Sequence, residues 1–249
     1  MEERYNSQII LNQIGGEGQK KLARSSAIVI GTGGLGSSVL TYLVAAGVGR
    51  VGLVDFDTVA PSNLNRQFLH GESDVGRHKA ISAKESLAAL NKDVEVIAYD
   101  DRLTDKNAAS LLSGYDLALG AVDTYDVRFV INRAAAALNL PYIDGGVNGF
   151  FGCIMFSNPP ATPCLNCVYP HRSEHKGPIG ILGATAGVIG SIQANQAILW
   201  MLGAHNSIEN KLLMYDALNM SIRLIDINRD AKCTVCGKMP AGATDGGKT

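Results

Sequence analysis

Hydrophobic positions follow two alternating rhythms through Gly145. Short apolar runs read as strands at 27–30, 51–55, 94–99, 115–119 and 142–144. Between them, stretches with helical spacing cover 35–46, 79–90, 105–112 and 125–138. A strand followed each time by a helix predicts a parallel, doubly wound, Rossmann-like α/β sheet. After Gly145 the rhythm changes. "NGFFGCIMFS", "KLLMYDAL" and "MSIRLIDIN" read as antiparallel strands. The expected sheet is therefore mixed, with a parallel N-terminal half and antiparallel C-terminal strands.

Gly177 to Ala204 contains no charged residue and is long enough to span a bilayer. Ser191, Gln193, Asn195 and Gln196 sit inside it, and glycines break it up, so the pattern predicts a buried helix over 184–202. No linker rich in Gly, Pro or Ser divides the chain, which implies one domain over 1–238. The tail "MPAGATDGGKT", 239–249, is expected to be disordered.

Composition narrows the class. With 249 residues and 46% apolar content, the chain can bury a substantial core. A net charge of -1, from 22 basic and 23 acidic residues, argues against a nucleic-acid surface or a polybasic membrane anchor. The opening "MEERYNSQIILNQIGG" lacks a charged-then-apolar leader pattern, so a cytoplasmic protein is expected.

Four of the five cysteines form two C-x-x-C pairs, Cys164 with Cys167 and Cys233 with Cys236. Two such pairs predict a closed, structural tetrathiolate zinc site. The alternative is a pair of redox dithiols, which would open a helix beside a thioredoxin-like strand. The 66 residues from Cys167 to Cys233 exceed a zinc ribbon, so the metal would clip two distant pieces of one domain together. Cys153, in "FFGCIMF", reads as a small core residue.

Gly31, Gly33 and Gly36 form G-x-G-x-x-G between the first strand and the first helix, and Asp55 comes nineteen residues later. Such a turn lets backbone N–H groups approach a phosphate at a helix N-terminus, while the acid accepts from a ribose hydroxyl. It serves ATP as readily as NAD. The residues downstream separate the two. Asp57, Asn63, Arg66, Gln67 and Lys79 come next, with Asp123 after a later strand. A hydride enzyme needs a flat nicotinamide pocket. Adenylation needs cations where charge builds on the α-phosphate and departing pyrophosphate, plus a carboxylate for magnesium.

The motifs "RYNSQ", "GTGGLGSS", "DFD", "SNLNRQ", "GRHKA", "DTYDVR", "CLNC", "GVIGSIQANQAI" and "CTVC" occur in that order. Together they resemble the MoeB, ThiF and HesA group of adenylating enzymes related to the ubiquitin-activating enzyme. The resemblance implies a homodimer that binds ATP and Mg2+. It also implies adenylation of the C-terminal carboxylate of a ubiquitin-like sulfur carrier ending in Gly-Gly. It further implies roles. Gly33 and Gly34 would approach the phosphates, Asp55 hold the ribose, and Asp57 lie near the phosphates. Asn63 and Gln67 would bind phosphate or substrate, and Arg66 would reach the partner subunit's site. Lys79 would hold phosphates, Asp123 the magnesium, and the four paired cysteines Zn2+. Taken singly, Asp57 and Asn63 also suit turns, Arg66 a surface charge, Lys79 a solvated helix face and Asp123 an N-cap.

Two departures matter. Ser7 stands where the resemblance predicts a second arginine of the opening motif, so nucleotide binding should weaken unless Arg4 or a local basic residue compensates. No cysteine lies between Val168 and Lys232, where relatives carry an acceptor thiol. Lys176 lies about there, and a protonated lysine is a poor nucleophile. His171, His175 and Lys176 are expected in a mobile, exposed loop. The expected activity therefore ends at the acyl-adenylate. Adenylation of a peptide or small-molecule carboxylate is the alternative, followed by a zinc-clipped scaffold without turnover and, last, an NAD dehydrogenase.

Overall fold

In the computed structural model of the chain, residues 2–170, 180–204 and 207–239 are described. The tail from residue 240 and the segment holding His171, His175 and Lys176 lie outside them.

The parallel half assembles as the periodicity predicts. Strands β1 (Ser26–Ile30), β2 (Arg50–Val54), β3 (Glu95–Tyr99), β4 (Leu117–Gly120) and β5 (Tyr142–Asn148) run parallel. Helices α3 (Gly34–Ala45), α4 (Lys79–Leu90), α5 (Ala108–Leu112) and α6 (Tyr125–Leu138) fall between them. Strands β6 (Phe151–Ser157), β7 (Lys211–Asp216) and β8 (Ser221–Asp226) add antiparallel, giving the order β3-β2-β1-β4-β5-β6-β7-β8. The mixed sheet is as expected.

Alternation along each strand builds two cores. Ala27 and Val29 of β1 face the core shared with α3, α4 and helix α8 (Gly183–Leu202). Ile28 and Ile30 face the core shared with α5 and α6. The charge-free segment is this α8, which packs on α3 and the sheet. A Cβ on Gly190 would lie 2.5 Å from the Leu35 carbonyl, so the two helices touch backbone to backbone. None of the described helices is long and apolar enough to cross a membrane.

Two boundaries and the N-terminal stretch depart most from what the pattern predicts. Helix α5 begins at Ala108 because Asn107 Oδ1 takes the N–H and hydroxyl of Thr104, at 2.7 and 2.9 Å, forming a local turn. Strand β5 runs on to Asn148 through Gly145, whose missing Cβ leaves room for the Gln193 side chain. Helices α1 (Glu2–Ile9) and α2 (Gly15–Arg24) precede β1 without a strong apolar rhythm to announce them.

Candidate active site

The carboxyl ends of β1, β2 and β4 open into a cleft of ≈ 260 Å³. Such a crevice, where strand order reverses about β1, is the expected ligand position in this architecture. Gly33, Gly34, Asp55, Asp57, Arg66, Gln67, Lys79 and Asp123 all line it. Asn63 does not. Its Oδ1 accepts the Ala60 N–H at 3.0 Å within the single 3-10 turn Pro61–Asn63, which is the turn-forming role.

The glycine turn is built for close approach. Gly31 has φ +97, and a Cβ there would lie 2.6 Å from the Ala121 carbonyl. A Cβ on Gly36 would meet the Gly31 carbonyl at 2.0 Å. A Cβ on Gly33, by contrast, would meet nothing nearer than Gln67 Nε2 at 3.6 Å, so its backbone faces open cleft. Helix α3 starts immediately after, aiming its first N–H groups and positive dipole end at that space.

Asp55 braces the turn. Its Oδ2 accepts from Thr32 N and Oγ1, both at 2.8 Å, and its Oδ1 from Asp57 N at 3.0 Å. Lys79 opens α4, but it is not on a solvated face: it is 6% exposed. Its Nζ reaches Asp57 Oδ2 at 3.2 Å. Gln67 is buried, and its Oε1 has no hydrogen-bond partner. An orphaned acceptor on a cleft wall suits a ligand that brings a hydroxyl or amino donor. The Arg66 stem lies against Gly34, and its guanidinium is held by Ser62 O and Asn65 Oδ1, both at 2.9 Å, with no carboxylate paired to it among the described residues. Asp123 is exposed in the loop after β4. The N-cap of α6 is Thr124, so Asp123 is not spent as a cap.

Some features carry no signal in the sequence because they join distant segments. The Arg102 guanidinium stacks 3.8 Å from the Phe56 ring centre, and the two form one wall of the cleft with Asp101 and Leu103. Behind the first turn of α6, Arg128 forms a buried two-pronged ion pair with Asp144 of β5. Tyr142 donates to the same carboxylate at 2.6 Å. Burial opposes the Arg128 charge, but Asp144 outweighs it and raises the pKa of the guanidinium. This pair ties the Asp123 loop to the sheet. Cys153 is half-buried beside it, its thiol pushed up by burial.

The opening motif proves architectural. Arg4 Nη1 donates to Leu90 O at 3.0 Å, Asn91 Nδ2 donates to the buried Tyr5 Oη at 2.8 Å, and Gln8 Nε2 donates to Ala46 O at 3.2 Å. These contacts dock α1 on the ends of α3 and α4. Arg4 is therefore not a replacement cation in its own chain's cleft.

The cysteine pairs meet as their spacing predicts. The Sγ atoms of Cys164, Cys167, Cys233 and Cys236 lie within 4.8 Å of one another, with Cys164–Cys233 at 3.6 Å and Cys167–Cys236 at 3.4 Å. Tetrahedral zinc at ~2.3 Å per sulfur asks for S···S near 3.8 Å, so the cluster fits such an ion. Burial, with neighbouring sulfurs contributing, pushes Cys167 up to about 11, and Cys164 is raised for the same reasons. Crowded thiols of this kind release their protons to a bound cation. Cys164 caps a four-residue helix α7 (Leu165–Val168), too short to carry a thioredoxin-type dithiol.

The sequence pattern of the ThiF family matches residues 5–235. The chain belongs to the ThiF family. It is 42% identical to the sulfur carrier protein adenylyltransferase of Thermus thermophilus, over 96% of this chain and 92% of that one. It is 39% identical to the probable adenylyltransferase/sulfurtransferase MoeZ of Mycobacterium tuberculosis and 38% identical to the adenylyltransferase and sulfurtransferase MOCS3 of Culex quinquefasciatus. The chain spans only 60% and 56% of these two longer relatives. A crystal structure of E. coli MccB with ATP shares the fold at a TM-score of 0.84, covering 94% of this chain and 74% of that one at 23% identity.

Proposed function

We propose that this ThiF-family protein is an ATP-dependent adenylyltransferase that activates the C-terminal carboxylate of a ubiquitin-like sulfur carrier ending in Gly-Gly. The observation that carries the reading is the convergence of a phosphate-approach turn, Lys79, Gln67 and Asp123 on one cleft. The adenylyltransferase relatives, led by the Thermus protein of nearly the same length, supply the reaction class.

In this reading the first N–H groups of α3 and Lys79 hold the ATP phosphates, and Asp55 orients the ribose while bracing the turn. Asp123 would hold Mg2+, which neutralises phosphate charge when bound and needs one or two carboxylates beside the phosphate oxygens. The carrier carboxylate attacks the α-phosphorus. A new O–P bond forms, the α–β bridging bond breaks, and pyrophosphate leaves with the electron pair. Lys79 meets the charge that grows on the departing group, joined by an Arg66 supplied from the neighbouring subunit. Zn2+ is assigned a structural role at the four cysteines.

A protein substrate needs a place to dock. The cleft reaches Val147 and Ile181 at one end, and Gly149 of the adjoining β5–β6 turn pairs with Ile181. Beyond that turn the sheet ends in the open edge of β8. Leu218, Met220, Ile222 and Leu224 are 64%, 79%, 59% and 51% exposed there. An apolar edge of this size suits a folded partner better than a small acid does. The outer face of α8, with Ala184, Gly187, Val188, Ser191, Ile192 and Asn195, is an uncharged groove. We assign it to a homodimer contact that brings Arg66 toward the neighbouring site. With no cysteine between Val168 and Lys232, the chain has no thiol there to accept the acyl group, and turnover ends at the acyl-adenylate.

Exchange of labelled pyrophosphate into ATP tests the reading. Exchange that requires a Gly-Gly-ended carrier supports it. Exchange driven by a free peptide or small acid alone replaces the carrier with that acid, and exchange with neither removes the activity.

A further inference from the structure

Helix α6 stands between the cleft and the cysteine cluster. Val127 of its first turn lines the cleft beside Asp123 and Thr124. Tyr125, Arg128, Phe129 and Asn132, spaced three and four apart, form another stripe of the same helix. That stripe meets α7, which carries Cys167 and is capped by Cys164. Asn132 is 1% exposed, and its Oδ1 accepts the Leu165 N–H at 2.9 Å. Its Nδ2 donates to Asn166 Oδ1 at 3.0 Å. Phe129 and Leu165 share a small core with Met155. Nearer the start of α6, the Tyr125 and Tyr169 rings meet edge to face with centres 6.0 Å apart. The Arg128 guanidinium lies 4.8 Å from the first ring centre and 6.0 Å from the second.

A helix of four residues does not hold itself, so α7 depends on its anchors. On one side it has the α6 stripe. On the other, Cys164 and Cys167 face Cys233 and Cys236, and the Asp230 N–H donates to Cys167 Sγ at 3.4 Å. A cation at the four cysteines would turn these sulfur contacts into bonds and fix α7 to the segment that follows β8. Helix α6 also packs on the sheet through Val130 and Ile131. Apolar packing of that kind is non-directional. The hydrogen bonds of Asn132 are directional, and they set where α6 sits along α7. The loop that opens α6 carries Asp123.

We propose that α7 positions the Asp123 end of α6, so that a cation at the four cysteines and MgATP in the cleft strengthen each other's binding. The proposal rests on the ATP-binding reading of the cleft. Asn132 and Tyr169 are the positioning residues: neither lines the cleft, and neither supplies a sulfur to the cluster. Linkage makes the effect reciprocal. Whatever factor the metal adds to nucleotide affinity, the nucleotide adds to metal affinity.

The test uses the zinc-loaded full chain as wild type, Asn132→Ala, Tyr169→Leu and Tyr169→Phe. Calorimetry gives the affinity for MgATP. Zinc release to excess chelator is followed with and without saturating MgATP. Fluorescence of Trp200 on α8, the single tryptophan, separates local release from global unfolding. MgATP should slow release from the wild type about tenfold, and zinc should leave before Trp200 changes. Asn132→Ala and Tyr169→Leu should bind MgATP about tenfold more weakly and lose that protection even when saturated. Tyr169→Phe keeps the ring and should stay within about twofold of wild type in both measurements. If Asn132→Ala does not fold, the leucine–phenylalanine difference decides. Equal protection in every variant, no protection in the wild type, release that tracks Trp200, or protein purified without zinc overturns the coupling and leaves the adenylation reading in place. No MgATP binding by the wild type overturns both.

Discussion

Lys79→Met should separate stability from activity with opposite signs. The Lys79 side chain is 8% exposed, and its one ion-pair partner, Asp57, is 51% exposed. At 3.2 Å and an effective dielectric near 20, their Coulomb attraction is about 5 kcal/mol, and close to water's dielectric it drops to about 1 kcal/mol. Against this stands the desolvation of a buried ammonium, several kcal/mol even after relaxation. The two nearly cancel. Methionine keeps the apolar stem packed and leaves Asp57 to water, so the folding free energy should change by no more than about 1 kcal/mol, and it can rise. Catalysis should respond very differently. A fixed cation lost from a developing phosphate charge costs about 3–4 kcal/mol, or roughly 10²–10³ in rate. Urea unfolding and pyrophosphate exchange on one preparation check both halves. A variant that unfolds severalfold more easily, or that keeps wild-type exchange, would refute the reasoning.

The cysteine cluster gives a second test: Cys167→Ser should lower bound zinc per chain and the unfolding midpoint together, and full stability with no metal lost would contradict the structural role. Ile222→Glu combined with Leu224→Glu should raise KM for the carrier by about tenfold or more while leaving ATP affinity intact, because charges replace exposed apolar contacts at the β8 edge. Acidification should cost stability through the buried His70. Above its ordinary pKa, near 6.5, both folded and unfolded chains are neutral there. Below that, the unfolded chain takes up the proton first, since the folded pKa is depressed, so stability falls with pH until the folded ring also titrates. The unfolding midpoint of His70→Gln should therefore fall less than that of wild type between roughly pH 7 and 5, and parallel curves would argue against a buried neutral ring. Finally, Arg66→Ala and Asp123→Ala, each inactive alone, should recover up to about half of wild-type activity per mixed dimer if Arg66 serves the neighbouring site. No recovery, with subunit exchange verified, would return Arg66 to its own chain's cleft.

Sequence legibility tracked the physics of each element. Helices α4 and α6 have the predicted boundaries, because each begins at a sharp change of pattern and ends where the apolar rhythm stops. The glycine turn was legible because only glycine tolerates the φ of Gly31 and the contact at Gly36. The cysteine cluster was legible from spacing alone. Helix α1 was not, since it is held by Tyr5 packing and by side-chain hydrogen bonds from Gln8 and Arg4 rather than by an apolar stripe. The Phe56–Arg102 wall and the Arg128–Asp144 pair were hidden for a common reason. Each joins residues that only the parallel crossovers bring together, and no local pattern encodes such a meeting. Asn63 sits apart: its position in a motif suggested a ligand contact, and here its Oδ1 accepts within its own turn.

The most direct test is the intact mass of the carrier. Purified protein, MgATP and a sulfur carrier ending in Gly-Gly are incubated, quenched in acid and weighed. The account predicts a carrier heavier by one AMP. The adduct should vanish on adding pyrophosphate, and it should be absent with a carrier lacking its last glycine or with Asp123→Ala. A carrier that stays unmodified while ATP is bound, or an adduct on the protein's own chain instead, would contradict it.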